Sequence, residues 1–296
     1  MTTAQATEWG PLSEPIHNDV PDGAAPWRDN AFISFWDPAS DVVGTLHVST
    51  SPNAEGRRSR LSLQTGGRTI EIVESLDPGT FTSDSVTFDA GASFKVHSDR
   101  ISGEITTTPL FGLAAYTGDH APTEFGLDVD KPLMHYQRAA TVTGELTIDG
   151  QTITINGTGF RDRTWGYRDE SSSVQEYYGC MWIFPTFALT SMRLLGTGGS
   201  TSTIGFVLGE HEDDTVGAMS LTRDGSGLFA GSRLELNSGR VLEVRGTGRH
   251  AGFWCPMGWE RTGPTMSAFD EFVSLRTGDG AEGYGLIEQG ILKQLY

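Results

Sequence analysis

The stretch Thr141-Val142-Thr143-Gly144-Glu145-Leu146-Thr147-Ile148-Asp149-Gly150-Gln151-Thr152-Ile153-Thr154-Ile155 decides the fold class. On both sides of Asp149-Gly150, polar and apolar residues alternate, which is the period of a β-strand with one buried face. Asp-Gly is favoured at the two central positions of a type I′ turn, since both need a positive φ. The stretch therefore predicts an antiparallel β-hairpin.

Short strand-like runs separated by glycine-containing turns continue on both sides of this hairpin. Glycine accounts for 38 of the 296 residues, about twice the usual share of about 7%. No segment of 12 or more residues shows a helical period. We predict an all-β protein of two successive antiparallel barrel or sandwich domains, residues 1–138 and 139–296. The polar segment Met1–Arg28, with four prolines, is expected to be an extended arm that drapes over the body of the protein.

The charge balance excludes several classes of partner. The formal net charge is −17, and only three of the 21 basic residues are lysine, so nucleic acid and anionic membrane surfaces are not expected partners. No stretch is apolar and long enough to span a bilayer, and the first 30 residues show no signal peptide. The cysteines and histidines match no metal-ligand spacing. We expect a cytoplasmic protein without a metal, without stable membrane insertion and with a small-molecule partner, and the oligomeric state stays open.

Chemically active side chains are concentrated in the segment Gly157–Asp169, which continues the second strand of the hairpin. Alternation along a strand places Asp162 and Thr164 on one face, and the other face receives Arg161, Arg163 and Trp165. One interpretation is a structural cluster of arginine and aspartate. In the other, a desolvated Asp162 carboxyl with a raised pKa donates a proton to an alkene. A guanidinium close to Asp162 would instead keep it ionised, as a base or a brace.

Other candidates lie outside this segment. Glu288 is a lone acid in a strand-like run, where it is either a second acid/base group or a solvent-facing residue. An aromatic run follows the segment, and a smaller group of aromatic and histidine residues precedes it. These side chains either line a ligand cavity or pack in an ordinary core: Trp27, His135, Tyr136, Tyr178 and Trp182.

Asp162-x-x-Trp165-Gly166, within Gly-x-Gly-x-Arg-Asp-x-x-Trp-Gly, resembles the motif of the AttH-like and carotenoid 1,2-hydratase-like (hydroxyneurosporene synthase-like) superfamily. Pro26–Asn30 and Gly283–Glu288 are similar to the beginning and end of its uncharacterised bacterial branches. The resemblance implies two tandem lipocalin-like β-barrel domains with an apolar ligand cavity. It also implies hydratase or cyclase chemistry on terpenoid- or polyketide-like molecules, as in secondary metabolism, without a cofactor.

This sequence departs from the superfamily pattern Asp-His-x-Trp, because Arg163 replaces the histidine. An arginine does not shuttle protons near neutral pH. Its fixed positive charge would instead polarise a carbonyl or hold a carboxylate, as in a cyclase or isomerase that acts on an oxygenated substrate. The function that we expect is that of a lyase or isomerase that cyclises, isomerises, hydrates or dehydrates a C=C bond. Asp162 and Glu288 are the expected acid/base groups and Arg163 the electrostatic stabiliser. The expected substrate-binding residues are Trp27, His135, Tyr136, Arg161, Trp165, Tyr178 and Trp182.

Two alternatives involve no catalysis. A lipocalin-like barrel commonly holds one small ligand, so the protein is alternatively a carrier of an apolar metabolite. A glycan-binding β-sandwich would explain the aromatic residues and the acidity, but not the Arg-Asp-x-x-Trp segment.

Overall fold

A computed structural model describes residues 8–17, 27–51, 56–90, 93–122, 133–168, 174–210, 213–256 and 263–295. The chain divides into two compact units. Unit 1 comprises Met1–Leu110 and Asp130–Arg168, and unit 2 comprises Phe111–Val129 and Asp169–Tyr296. Nearly all regular structure is β, which confirms the predicted fold class. None of the helices in the described ranges has the length and apolar character that crossing a membrane requires.

Unit 1 is built on one antiparallel sheet, and a 3-10 helix, Gly10–Ser13, precedes it. The strands are β1 (Trp27–Asp37), β2 (Val42–Ser51), β3 (Gly56–Thr65), β4 (Arg68–Ser75), β5 (Val86–Asp89), β6 (Ser93–His97), β7 (Ile101–Pro109), β9 (Met134–Ile148) and β10 (Gln151–Tyr167). Across the sheet they follow the order β4-β3-β2-β1-β10-β9-β7-β6-β5.

The predicted hairpin is confirmed as β9 and β10. Gln151 is paired with Ile148 across a two-residue turn, in which Asp149 has φ 46° and Gly150 has φ 82°. The division of the chain differs from the boundary that we predicted near residue 138. Since β10 also pairs with β1, and β9 with β7, the whole hairpin belongs to unit 1.

The sheet of unit 1 curls so that one face becomes an interior. Phe35 on β1 and Phe94 on β6 have three strands between them in the sheet order, yet their ring centroids lie 5.9 Å apart. A flat sheet would hold these rings about 19 Å apart, at about 4.8 Å per strand. We call the face that carries them the inner face of the sheet, and the opposite one the outer face.

The described part of the N-terminal segment, residues 8–17, lies against the inner face and does not drape over the outside as we expected. Trp9 and Leu12 are each 1% exposed. The guanidinium of Arg161, which projects from the inner face, lies 4.4 Å from the Trp9 ring centroid. The segment therefore supplies part of the core of unit 1. The other residues of the predicted arm, up to residue 26, lie outside the described ranges.

Unit 2 contains a closed barrel of eight antiparallel strands in which the first strand pairs with both the second and the last. Its interior is filled by buried side chains that include Tyr178, Trp182, Phe229 and Ile287. A short strand, β8 (Ala114–Ala115), and a 3-10 helix, Gly118–His120, precede the barrel in this unit. The barrel strands are β11 (Val174–Phe184), β12 (Phe187–Gly196), β13 (Thr201–Gly209), β14 (Asp213–Arg223), β15 (Phe229–Leu236), β16 (Val241–Pro256), β17 (Gly263–Thr277) and β18 (Glu282–Leu295).

Candidate active site

The motif segment lies on β10, between β1 and β9 in the centre of the unit 1 sheet. Its two leading glycines permit a close approach of β10 to β1. A Cβ atom on Gly157 would lie 2.0 Å from the carbonyl oxygen of Trp36, and one on Gly159 would lie 2.0 Å from that of Ser34. Any larger residue would push β10 away from β1, so these glycines fix the strand that carries the site.

Side chains of β10 alternate between the two faces of the sheet. Ile33 is paired with Arg161, and Ile33 shares the inner face with Phe35. Arg161 and Arg163 therefore point inward, while Asp162 and Thr164 point to the outer face. Asp162 and Arg163 are neighbours in sequence, yet they belong to different environments.

Asp162 is held by three side chains on the outer face. Its Oδ2 lies 2.5 Å from His135 Nε2 and accepts a hydrogen bond of 2.7 Å from Gln137 Nε2. Its Oδ1 accepts a hydrogen bond of 3.1 Å from the hydroxyl of Thr164. His135 and Gln137 lie on β9, and the antiparallel register brings them beside β10.

The pKa of Asp162 is lowered by this arrangement. Burial alone raises this pKa, but the nearby imidazole of His135 and the hydrogen bonds from His135, Gln137 and Thr164 outweigh burial. The geometry therefore stabilises a carboxylate. This differs from a neutral carboxyl that donates a proton to an alkene, which the sequence had suggested as one possibility.

The pair His135–Asp162 is well shielded from solvent. The side chain of His135 is 6% exposed and that of Asp162 is 13% exposed. The neighbouring outer-face residues Asn30 and Ser49 are buried as well, so this part of the outer face is shielded from solvent as a whole. Such a pair is a common acid/base unit, because the carboxylate orients the ring and stabilises the positive charge that it acquires with a proton.

Arg163 has its own partners on the inner face. Its Nη1 lies 2.6 Å from Asp29 Oδ1, and its guanidinium donates to the carbonyl oxygens of Glu14 and Pro15 at 3.2 and 2.8 Å. These contacts hold the N-terminal segment against the sheet. The geometry favours a structural role for Arg163 over the electrostatic stabiliser that we expected.

Arg161 is similarly engaged in the interior. Its guanidinium donates to the carbonyl oxygens of Leu12 and Ala90. Burial lowers the pKa of Arg161 to about 9, and the charge of Arg163 acts in the same direction. Asp89 partly opposes this effect. Arg161 is therefore part of the core of unit 1.

The aromatic candidates of unit 1 lie near the inner-face arginines. Trp165 stacks on His17 with 4.6 Å between ring centroids, and Tyr136 lies 5.6 Å from Trp165 in a tilted arrangement. Trp27 packs edge-on against Tyr167 at 5.3 Å. Of these candidates, His135 is the one with a contact to Asp162 shown among the described residues.

The other candidates belong to unit 2. Tyr178 and Trp182 point into the barrel, where both flank Phe229. Glu288 is half-buried on the outside of the barrel, directly opposite the buried Asp270 in register. Two carboxylates at facing positions repel each other when both are ionised.

The described residues also contain an open pocket at one end of the barrel. It has a volume of about 720 Å³, and apolar residues such as Phe187, Val207 and Leu242 line it beside charged ones such as Glu210 and Arg240. Nowhere in the described ranges do three His, Cys, Asp or Glu side chains converge as metal ligands would.

Three residues around the candidate site were not predicted from the sequence: Gln137, Thr164 as a donor to Asp162, and Asp29. The alternation His135-x-Gln137 on a strand next to the motif was an available signal for the first. Asp29 gave no such signal, because its role depends on Arg163, 134 residues later in the chain.

A family model described as "Domain of unknown function (DUF7064)" matches residues 13–291. The chain belongs to the DUF7064 family. That match spans both units. The DUF7064 chain has no match among curated proteins.

Solved structures similar to the DUF7064 chain share its fold over nearly the whole length. A crystal structure of CghA has a TM-score of 0.64 at 12% identity, and the match covers 97% of each chain. A crystal structure of CghA with Sch210972 is similar as well. Kievitone hydratase from Nectria haematococca has a TM-score of 0.62 at 15% identity, with 95% of each chain covered. A putative AttH from Nitrosomonas europaea has a TM-score of 0.64 at 12% identity, covering 94% of this chain and 95% of that one. These similarities confirm the fold that the resemblance to the AttH-like superfamily implied.

Proposed function

We propose that this protein is a cofactor-independent lyase or isomerase in which His135 and Asp162 move a proton on a lipophilic, oxygenated substrate. The observation that carries the proposal is the shielded His135–Asp162 pair on the outer face of the unit 1 sheet. Proton transfer beside a carbonyl or C=C bond covers isomerisation, hydration, dehydration and cyclisation. The fold shared with a hydratase supports this range of reactions.

The two residues have different roles in this proposal. Asp162 remains ionised, because three side-chain donors are directed at its oxygens. It fixes the tautomer of His135 by accepting from Nε2, which leaves Nδ1, a buried atom, as the ring nitrogen that can take up a proton. Gln137 and Thr164 keep the carboxylate oriented. A fixed orientation lowers the entropic cost of reaching the reactive geometry.

In this proposal, His135 on β9 takes the role of the histidine that follows the aspartate in the superfamily pattern. The motif position next to Asp162 is Arg163, which is engaged by Asp29 on the inner face. His135 approaches the same carboxylate from β9, through the cross-strand register. A proton-transferring imidazole is thus present although the motif itself lacks one.

The test uses a panel of lipophilic enones and oxygenated polyenes incubated with the protein in D₂O. Mass spectrometry detects deuterium incorporation, addition or loss of water, and isobaric products. We expect turnover of at least one compound, and a loss of about 100-fold or more for His135→Gln and Asp162→Asn. His97→Gln, at an exposed position on β6, is the matched control.

Unchanged turnover in both His135→Gln and Asp162→Asn would remove the pair from the chemistry. Glu288→Gln, assayed in parallel, decides whether the second expected acid/base group takes part. Full activity of that variant limits the chemistry to the pair on unit 1.

A second candidate function is the transport of an apolar metabolite. The barrel pocket of about 720 Å³ favours it, since ligand sites of this kind are commonly about 300–1,000 Å³. Native mass spectrometry after incubation with the same panel separates the two functions. A stoichiometric, chemically unchanged ligand in the absence of any product supports the carrier.

A further inference from the structure

The open pocket of the unit 2 barrel lies where four hairpin turns meet. When antiparallel strands follow one another in a barrel, alternate turns come together at the same end. These four turns connect β11 to β12, β13 to β14, β15 to β16 and β17 to β18. We call this end the mouth of the barrel. Its pocket of about 720 Å³ has a volume that is usual for small-molecule sites, which are about 300–1,000 Å³.

The inner wall of this pocket is apolar and continuous with the barrel core. Val207 lines the pocket and is a core residue with 2% exposure. Phe187 and Leu242 also line the pocket, and both pack against the same core. An apolar group that enters the mouth therefore exchanges contact with water for contact with these side chains. The exchange is favourable in proportion to the apolar area that it buries.

The rim of the pocket carries an excess of negative charge. Among the described residues, three carboxylates and one guanidinium line it: Glu210, Glu243, Asp279 and Arg240. Arg240 interacts electrostatically with Asp279 and also with Asp214. Its positive charge is therefore already offset by acidic neighbours.

Glu210 and Glu243 have no comparable partner. Both are exposed, and within the part of the chain that the structure describes neither carboxylate makes an ion pair or a hydrogen bond. Arg233 faces Glu243 in the register of β15 and β16, but it pairs with Glu235 instead. Two carboxylates thus border an apolar pocket without an ion-pair partner.

We propose that the mouth of the barrel binds an amphiphilic cation, a molecule with an apolar body and one protonated amine or quaternary ammonium group. The body contacts Phe187, Val207 and Leu242, and the cationic group lies at the rim beside Glu210 and Glu243. Attraction between charges is stronger there than in bulk water, because apolar walls displace solvent. The ring of Phe187 also attracts a cation through its π face.

The test uses three fluorescent probes with one apolar body: diphenylhexatriene, its trimethylammonium derivative and its propionic acid derivative. Fluorescence titration measures the affinity of each. We expect the wild-type protein to bind the cation at least about tenfold more tightly than the neutral parent, and the anion more weakly than the parent. Glu210→Gln and Glu243→Gln should each reduce the preference for the cation. The double variant should abolish this preference and leave the affinity for the neutral probe unchanged, whereas Arg240→Gln should increase the preference.

A matched control separates this site from the general attraction of an acidic protein, with its net charge of −17, for cations. Asp77→Asn combined with Glu104→Gln changes the net charge by the same amount as the double variant, at exposed positions of unit 1. This control should keep the full preference for the cation. Circular dichroism verifies the fold of each variant.

Equal affinities for the cation and its neutral parent, tighter binding of the anion, or failure of the cation to bind overturns the inference. A preference that survives in the double variant, or that is lost equally in the unit 1 control, overturns it as well. The inference does not depend on the reaction proposed for unit 1, and the two fail separately. Turnover that requires His135, in a protein without the cation preference, removes only the site at the mouth. A cation preference with turnover that ignores His135→Gln removes only the catalytic assignment.

Discussion

The guanidinium of Arg163 and the carboxylate of Asp29 lie 2.6 Å apart, and both side chains are fully buried. Asp29 also accepts a hydrogen bond of 2.7 Å from the backbone N–H of His17. The Asp29 carboxylate therefore contacts both β10 and the N-terminal segment, on the face of the sheet opposite Asp162. The interior of unit 1 is organised around charge as well as apolar packing.

Removing one partner of this pair should be costly. Asp29→Ala leaves a buried guanidinium uncompensated, which typically destabilises a protein by about 3–5 kcal/mol. Urea denaturation measures the loss. Glu104→Ala removes an exposed carboxylate paired with Lys95 and should shift the denaturation midpoint little, because exposed ion pairs contribute little to stability. Equal losses in the two variants would contradict the structural role of Asp29.

The N-terminal segment should contribute to the stability of unit 1 through Trp9. Trp9→Ala removes a ring that is 1% exposed and packed on Arg161, with an expected cost of about 3–5 kcal/mol. The control is Trp254→Ala, since Trp254 is 57% exposed and should shift the midpoint little. A thermal midpoint insensitive to Trp9→Ala would show that the segment is not part of the core.

The carboxylate of Asp162 should stabilise the protein in a pH-dependent way. Its pKa in the folded protein is below the ordinary 3.8, so its stabilising contribution is complete above 3.8 and is lost as pH falls through the folded pKa. At pH 7, Asp162→Asn should cost about 1–3 kcal/mol, because charged hydrogen bonds are lost. The difference from wild type should shrink in acid below pH 3.8.

Denaturation from pH 2 to pH 7 measures that difference. Asp77→Asn at an exposed turn controls for the general effect of removing a carboxylate. A wild-type advantage that grows as the pH falls would mean that Asp162 is protonated in the folded protein.

The close approach of β10 to β1 should not tolerate a methyl group. Gly159→Ala places a Cβ 2.0 Å from the carbonyl oxygen of Ser34, and such overpacking typically costs about 1–3 kcal/mol. Gly225→Ala is a suitable control, because no atom lies within 4 Å of the added Cβ. The measurement is the urea denaturation midpoint of each variant. Equal midpoints for Gly159→Ala and Gly225→Ala would mean that β1 moves away from β10 at no cost.

The alternation around Asp149-Gly150 was enough to predict the hairpin, and the same period separated Asp162 from Arg161 and Arg163. Both inferences are local, because a strand turns successive side chains to opposite faces whatever surrounds it. The domain boundary could not be inferred in this way. It depends on β1 pairing with β10, more than 100 residues later, and no local period encodes that partnership.

The sequence by itself determined the all-β class, the turn and the face of β10 on which each side chain stands. The two-residue turn also fixes the register that brings Gln137 opposite Asp162 and His135 next to it, and the structure shows that the hairpin extends that far. Only the tertiary structure decided that Asp29 engages Arg163 and that residues 8–17 fill the interior of unit 1. These contacts follow from the cost of leaving a buried charge or a large apolar ring without a partner, and the residues that make them are far apart in the chain.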